Sequence, residues 1–127
     1  MQIEKHGLSV GIEQYNDDIF ILIKPTGKLT HGDYKMTMPI INLALNEVKK
    51  AKVKVLINAT EMEGWEPEAA WDNLKLELKQ GKKFQKIAIY GDKEKQKKEI
   101  LNIGSWFTSG ETKYFDNEPE AVTWLLS

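Results

Sequence analysis

The chain of 127 residues contains no cysteine and no arginine. Without cysteine it can form no disulfide, use no thiolate nucleophile and bind no zinc through sulfur. All 18 of its basic residues are lysines. Because arginine supplies the planar fork that reads phosphates and base edges, sequence-specific binding of nucleic acid is disfavoured. The two histidines, His6 and His31, lie far apart outside any metal-ligand spacing, so we expect no metal site and no cofactor.

Long apolar runs are missing as well. Residues 1–20 include four acidic side chains and lack the apolar core of a signal peptide, and no later run approaches the roughly 18 apolar residues of a membrane span. The net charge is −1, and no repeat, low-complexity tract or linker divides the chain. These features predict a single cytoplasmic domain over residues 1–127.

The segment 53–65, VKVLINATEMEGW, is the most informative stretch. Its β-branched first half is typical of a strand buried on both faces of a parallel sheet. Its second half becomes polar at the carboxyl end of that strand, where ligands bind in open α/β sheets. Asn58, Thr60 and Glu61 are therefore the first candidates for a ligand site.

The flanking segments predict the rest of the fold. Residues 8–15 alternate in polarity, and residues 19–24 are almost continuously apolar, which favours an antiparallel hairpin that Pro25 and Gly27 end or bulge. Further strands are predicted at 84–90 and 112–115, and helices at 30–50, 66–80, 93–107 and 117–126. The predicted class is α/β, a single mostly parallel five-stranded sheet with an N-terminal antiparallel hairpin and about four helices.

Local signals refine this prediction. Thr30 and Asp33 have the spacing of a capping-box variant at the start of the first helix, and Pro39 is expected to kink or restart that helix. The centre of the core is expected to contain Val55, Ile57, Ile87 and Ile89.

Several motifs follow one another along the chain in a recognisable order: THGDY with a proline six residues beyond Asp33, VKVLINATEMEGW, AAWDNLK, FQKIAIYGD and a final YF before EAVTWL. Their order and spacing resemble the SpoIIAA-like proteins, which have the STAS fold and a likeness to Sec14/CRAL-TRIO-type lipid-binding domains. The resemblance implies a non-enzymatic domain that binds an apolar small molecule or lipid, with reversible membrane association in some relatives. The alternative that it implies is a protein-interaction module related to anti-sigma-factor antagonists.

One departure concerns the turn after the central strand. Anti-sigma-factor antagonists carry a phosphorylatable serine there, whereas residues 58–64 of this chain, NATEMEG, contain none. Thr60 has a hydroxyl, but Glu61 and Glu63 would repel an added phosphate. Phosphorylation-driven partner switching is therefore disfavoured.

A ligand pocket could form where this turn meets the start of the first helix. The candidate ligand-binding residues are Thr30, His31, Asn58, Thr60, Glu61, Trp65 and Trp71. An enzyme would pair the His31 imidazole with the Glu61 carboxylate as acid and base. In the simpler interpretation Thr30 is a helix cap, the polar groups of the turn satisfy one another, and Trp71 packs in the core.

A lysine-rich segment followed by aromatic residues suggests contact with an anionic membrane surface. The candidate residues are Lys93, Lys95, Lys97, Lys98, Trp106 and Phe107. The alternative is a solvated lysine face with Trp106 and Phe107 in the core.

Overall fold

The computed structural model describes residues 7–15, 18–47, 52–65, 83–92, 94, 103–104, 106–107 and 109–127. Its elements are, in chain order, β1 (Gly7–Tyr15), β2 (Asp18–Leu29), α1 (His31–Glu47), β3 (Lys52–Asn58), β4 (Met62–Trp65), β5 (Lys83–Tyr90), β6 (Glu111–Phe115) and α2 (Glu118–Leu126).

The strands form one mixed sheet in the order β1-β2-β3-β5-β6, with β4 paired to β2. β1 and β2 form an antiparallel hairpin, and every other pairing is parallel. The α/β class, the hairpin and the central place of β3 are thereby confirmed. The sheet has six strands instead of the predicted five, because residues 62–65 form β4 rather than part of a loop.

β2 continues through Pro25 to Leu29, so of the two outcomes expected at Pro25 and Gly27, an end of the strand or a bulge, the strand does not end. Pro25 falls between two partners of β2. The pairing with β3 stops at Ile23, and the pairing with β4 starts at Gly27, where the register also shifts. Proline has no N–H to donate, and it is tolerated here because the pairing with β3 has ended and the pairing with β4 has not yet begun. The bulge expected at Gly27 is present.

α1 begins as the sequence predicts. The Thr30 backbone N–H donates to Asp33 Oδ2 over 2.9 Å, and the Asp33 N–H donates to Thr30 Oγ1 over 3.1 Å, which is a reciprocal cap. The helix is continuous through Pro39.

Two helices of the size predicted lie within the described residues, α1 and α2, rather than about four. The helix predicted at 66–80 lies outside the described residues. The helix predicted at 93–107 is described only in part, with Ile103 and Gly104 helical.

The larger part of the core lies on one face of the sheet. The buried residues on this face include Ile103 and Trp106 from the connection between β5 and β6. We call this side the crossover face. Its fully buried side chains include Val55, Ile57, Ile87, Ile89 and Trp106. The four aliphatic residues confirm the predicted centre of the core.

Candidate functional site

The opposite side of the sheet, which we call the groove face, carries Phe20, Leu22, Leu56 and Ala88. Among the described elements α2 is the helix that packs on it, against β5, β3 and β6. Ala121 and Leu125 of α2 are buried there. This nine-residue helix packs on β5, β3 and β6, so among the described elements no helix covers the β1–β2 side of this face.

The open part of the groove face forms two adjoining cavities of about 430 and 450 Å³. Both are lined by Leu22, Leu56 and Glu118, so they make one continuous channel, which we call the sheet groove. Its floor is Phe20, Leu22 and Leu56, and one wall is the α2 flank formed by Val122, Leu125 and Leu126. The other wall is the row Ser9, Gly11, Glu13 and Tyr15 of β1.

Strand alternation explains this arrangement. Side chains of a strand point alternately to the two faces, so Phe20, Leu22 and Lys24 share the groove face while Ile21 and Ile23 enter the core of the crossover face. Pairing sets Leu22 opposite Gly11 on β1 and Leu56 on β3. Gly11 has no side chain, so the apolar floor is open at this point.

One end of the sheet groove is polar. It is lined by Lys24, Asn58, Tyr90 and Glu118. Burial first, and then the charge of Glu118 and a hydrogen bond to it, raise the pKa of Tyr90 to about 12. The phenol therefore stays protonated at neutral pH and donates to the Glu118 carboxylate. Lys24 Nζ forms an ion pair with Glu61.

α2, the wall of the groove, is held at both ends. At its start Asn117 Oδ1 accepts from the Glu120 N–H over 3.0 Å. At its end Lys86 Nζ donates to the Trp124 carbonyl over 3.0 Å and to the Ser127 carbonyl over 2.9 Å, which satisfies carbonyls that a helix terminus leaves open. The same ammonium lies 5.1 Å from the Trp124 ring centroid. These contacts fix the position of the wall over the sheet.

The predicted site at the end of β3 is a well-connected turn. Asn58 Oδ1 accepts from the Thr60 N–H over 3.0 Å and from Thr60 Oγ1 over 2.5 Å. The Ala59 N–H donates to the Tyr90 carbonyl, and the Gly27 N–H donates to the Glu61 carbonyl, so the turn is tied to β5 and β2. This agrees with the simpler interpretation, in which polar groups of the turn satisfy one another.

The structure places the predicted ligand residues in different parts of the fold. Asn58 lines the sheet groove, whereas Thr60 and Glu61 are exposed in the turn. Thr30 caps α1, and His31 is exposed at its first residue. The Trp65 side chain and all of Trp71 lie outside the described residues.

Two of the six predicted membrane residues, Trp106 and Phe107, lie within the described part of the chain. Trp106 has 0% exposure and lies in the core, which corrects its assignment to a membrane-inserting surface. Phe107 is half-buried and packs edge to face on Phe84, with 5.1 Å between ring centroids. Both aromatics pack on the crossover face because that is the apolar side of the sheet over which the β5–β6 connection passes. Lys93, Lys95, Lys97 and Lys98 lie outside the described residues.

Sequence reasoning missed most of the groove residues. The sequence predicts Phe20 and Leu22 only as part of the apolar second strand of the hairpin, and it assigns no role in a site to Tyr90 or Glu118. The available signal is Gly11, a position without a side chain in the middle of the polar face of the first strand. Within the described part of the chain no cluster of His, Asp or Glu could hold a metal ion, and no helix is long and apolar enough to cross a membrane.

Comparison with known proteins identifies the family. The model of the SpoIIAA-like family matches residues 20–126. The crystal structure of an uncharacterized DUF3478-family protein with a SpoIIAA-like fold, from Shewanella loihica PV-4, is 42% identical in sequence, covers 98% of each chain and has a TM-score of 0.73. A search of curated proteins found no match. Nothing in these matches supports the expected likeness to Sec14-type domains. Since the family model spans well over half of the chain, this protein belongs to the SpoIIAA-like family.

Proposed function

We propose that this protein is a non-enzymatic binding domain that takes an amphiphilic, lipid-like small molecule in the sheet groove. The observation that carries the proposal is the change of lining along the groove. Phe20, Val122 and Leu125 line one cavity, Lys24, Asn58 and Tyr90 line the other, and Leu22, Leu56 and Glu118 line both. Apolar clefts with a few polar groups at one end are typical of small-molecule sites.

The charges at the polar end favour an uncharged or zwitterionic head group. The groove lining contains Glu13 and Glu118 against the single cation Lys24, and Lys24 is already paired with Glu61. An anionic head would meet this acidic excess without a free cation among the lining residues. A phosphocholine head would face Glu118 with its trimethylammonium cation, and its own phosphate keeps the head neutral overall.

The test uses two probes with the same alkyl chain, dodecylphosphocholine and dodecanoate, each below its micelle concentration. A ligand that binds only the folded protein adds about 2.7 kcal/mol to its stability at one hundred times its Kd, so the melting temperature should rise by several degrees with dodecylphosphocholine and less with dodecanoate. Leu56→Gln should abolish the rise because it makes the groove floor polar. Leu43→Gln, on the exposed side of α1, is the matched control and should keep it.

Equal rises in all three proteins, or none in the wild type, would refute the sheet groove as the binding site. Native mass spectrometry of protein purified from its host should in turn retain a ligand of this class.

A second candidate is association with a membrane surface through α1. Met36, Ile40 and Leu43 are 76%, 59% and 62% exposed, and their spacing places them on one side of the helix. In this candidate the α1 stripe contacts the membrane, whereas the sequence predicts this contact at Trp106, whose indole is buried. Because few charges adjoin it on α1, vesicle binding through the stripe should depend little on salt.

Co-sedimentation with anionic vesicles tests this second candidate. Replacing Met36 and Leu43 by serine should reduce binding at every salt concentration. Replacing Lys93, Lys95, Lys97 and Lys98 by glutamine should leave it unchanged; a loss of binding at low salt only, where screening is weak, would instead assign the contact to these lysines. If the wild type does not sediment even at low salt, the apolar stripe would be assigned to a protein partner, which is compatible with a module like the anti-sigma-factor antagonists.

A further inference from the structure

β1 is an edge strand of the sheet in the part of the chain that the structure describes. It pairs with β2 along its whole length, from Gly7 opposite Thr26 to Tyr15 opposite Asp18, without a bulge. Among the described strands β2 is its one partner. Its outer row of backbone N–H and C=O groups is therefore a template for another strand.

The devices by which proteins protect such edges are missing from β1. It has no proline and no lysine, and Glu13 is its one charged residue. All residues from 11 to 15 are exposed, including the apolar side chains Ile12 at 43% and Tyr15 at 57%. The opposite edge of the sheet is different. β6 has five residues and two charges, Glu111 and Lys113, and its exposed edge is correspondingly short.

We propose that β1 pairs antiparallel with β1 of a second copy of this chain, with Gly11 on the two-fold axis. Gly11 is the midpoint of the nine residues, so this register pairs the complete strand, with Gly7 opposite Tyr15. It sets Val10 opposite Ile12 of the other copy, which covers apolar side chains at the margin of the crossover face.

The same register also avoids a clash of like charges. Ser9 lies opposite Glu13 of the other copy, and the two Glu13 positions are four residues apart along the strand direction, about 14 Å at the rise of an antiparallel strand. A register centred on Glu13 would bring the two carboxylates face to face. A two-fold dimer needs a self-complementary surface, and β1 centred on Gly11 is one.

Pairing would change the surroundings of the sheet groove. The groove-face row of β1, including Ser9, Gly11 and Glu13, would become the middle of a trough shared by two copies and flanked by both α2 helices. The dimer itself needs no ligand, so its test is separate from that of the proposed function.

The absence of cysteine allows a direct test by disulfide formation. A Cβ built on Gly11 meets no atom within 4 Å, so Gly11→Cys fits the fold. Residues directly opposite in an antiparallel pair have Cα atoms about 4.5–5.5 Å apart, within the range that a disulfide spans. Under mild oxidation Gly11→Cys should give a covalent dimer.

Two control variants fix the register. Ser9→Cys and Glu13→Cys lie on the same face of β1 as Gly11, yet each is about 14 Å from its own copy, so neither should cross-link alone. A mixture of the two should form a heterodimer. Equal rates of cross-linking for all three single variants would overturn the proposal, and so would the lack of a Gly11→Cys dimer.

Sedimentation velocity without any cross-link gives the second readout. The wild type should show a concentration-dependent dimer. Ile12→Lys, which places a charge opposite Val10, should shift it to monomer, whereas Met36→Lys on α1 should not. Circular dichroism of both variants establishes that they fold. A wild type that is monomeric across the concentration series, or a dimeric Ile12→Lys, would contradict pairing through β1.

Discussion

At the scale of single residues, the groove face contains a buried charged side chain, Lys54. Lys54 is 6% exposed, its Nζ lies 3.1 Å from Asp18 Oδ2, and it is 5.8 Å from the Phe20 ring centroid. A buried lysine requires such partners, because desolvating an unpaired ammonium is costly. Phe20 thus has a double role, as groove floor and as the aromatic neighbour of this cation.

Tyr90 gives a prediction about pH. Its pKa rises from 10.0 to about 12 on folding, so the unfolded chain releases the phenol proton at a lower pH than the folded protein. The contribution of this group to the free energy of unfolding is complete below pH 10 and is lost as the pH rises toward 12.

Tyr90→Phe provides the comparison. Urea unfolding across this alkaline range should show a steeper loss of stability for the wild type than for the variant, with a constant difference below pH 10. All other side chains are the same in the two proteins, so the difference between them isolates Tyr90. Burial also raises the pKa of Tyr114, and the variant should therefore retain part of the alkaline slope. Parallel stability curves would show that Tyr90 is not shifted.

At the scale of elements, several features could be predicted because each has a local cause. The hairpin follows from alternation in β1, and the cap of α1 follows from the spacing of Thr30 and Asp33. β4 and the second half of β2 could not be predicted in this way. Each stabilises the other through pairings between distant parts of the chain, Gly27 with Met62 and Leu29 with Trp65.

The sheet groove was missed for a related reason. Ligands bind past the carboxyl ends of parallel strands in open sheets, so the sequence predicts a site at Asn58, Thr60 and Glu61. A continuous apolar run such as that in β2 does not reveal which of its two faces will be covered. That depends on where α2 packs, and α2 is held by Lys86 and Tyr90, far from it in sequence.

The turn before β6 supplies a prediction at this scale. Gly110 has φ +96°, and a Cβ there would lie 2.7 Å from Ile87 Cδ1 and 2.8 Å from the Phe84 carbonyl oxygen. Gly110→Ala should destabilise the protein by about 1–3 kcal/mol, because both backbone conformation and space oppose the side chain.

Gly32→Ala is the matched control for this substitution. Gly32 lies in the first turn of α1, where a Cβ would meet only Thr30 Oγ1 at an ordinary 3.6 Å. Alanine should be neutral or stabilising there, by up to about 1 kcal/mol. Urea unfolding of both variants measures the pair, and similar effects at the two glycines would contradict the assigned strain at Gly110.

At the scale of the whole molecule, the question is how binding is controlled. Membership of the SpoIIAA-like family makes phosphorylation of the turn after β3 a natural hypothesis. This turn is linked to both β2 and β5 by backbone hydrogen bonds, so a charge added there would act on the centre of the sheet. It also adjoins the polar end of the sheet groove through Asn58.

We expect the protein to remain unmodified at residues 58–64 when treated with a serine kinase that acts on anti-sigma-factor antagonists. The Thr60 hydroxyl is hydrogen-bonded to Asn58 Oδ1, and the exposed carboxylates Glu61 and Glu63 would repel the transferred phosphate. Thr60→Ser tests whether the turn stays unmodified merely because it lacks a serine. This variant should also stay unmodified, because Asn58, Glu61 and Glu63 still surround the hydroxyl. Thr60→Ser combined with Glu61→Gln and Glu63→Gln should become a better substrate. Mass spectrometry of the turn peptide measures all three proteins, and phosphate on Thr60 of the wild type would overturn the expectation that this turn stays unmodified.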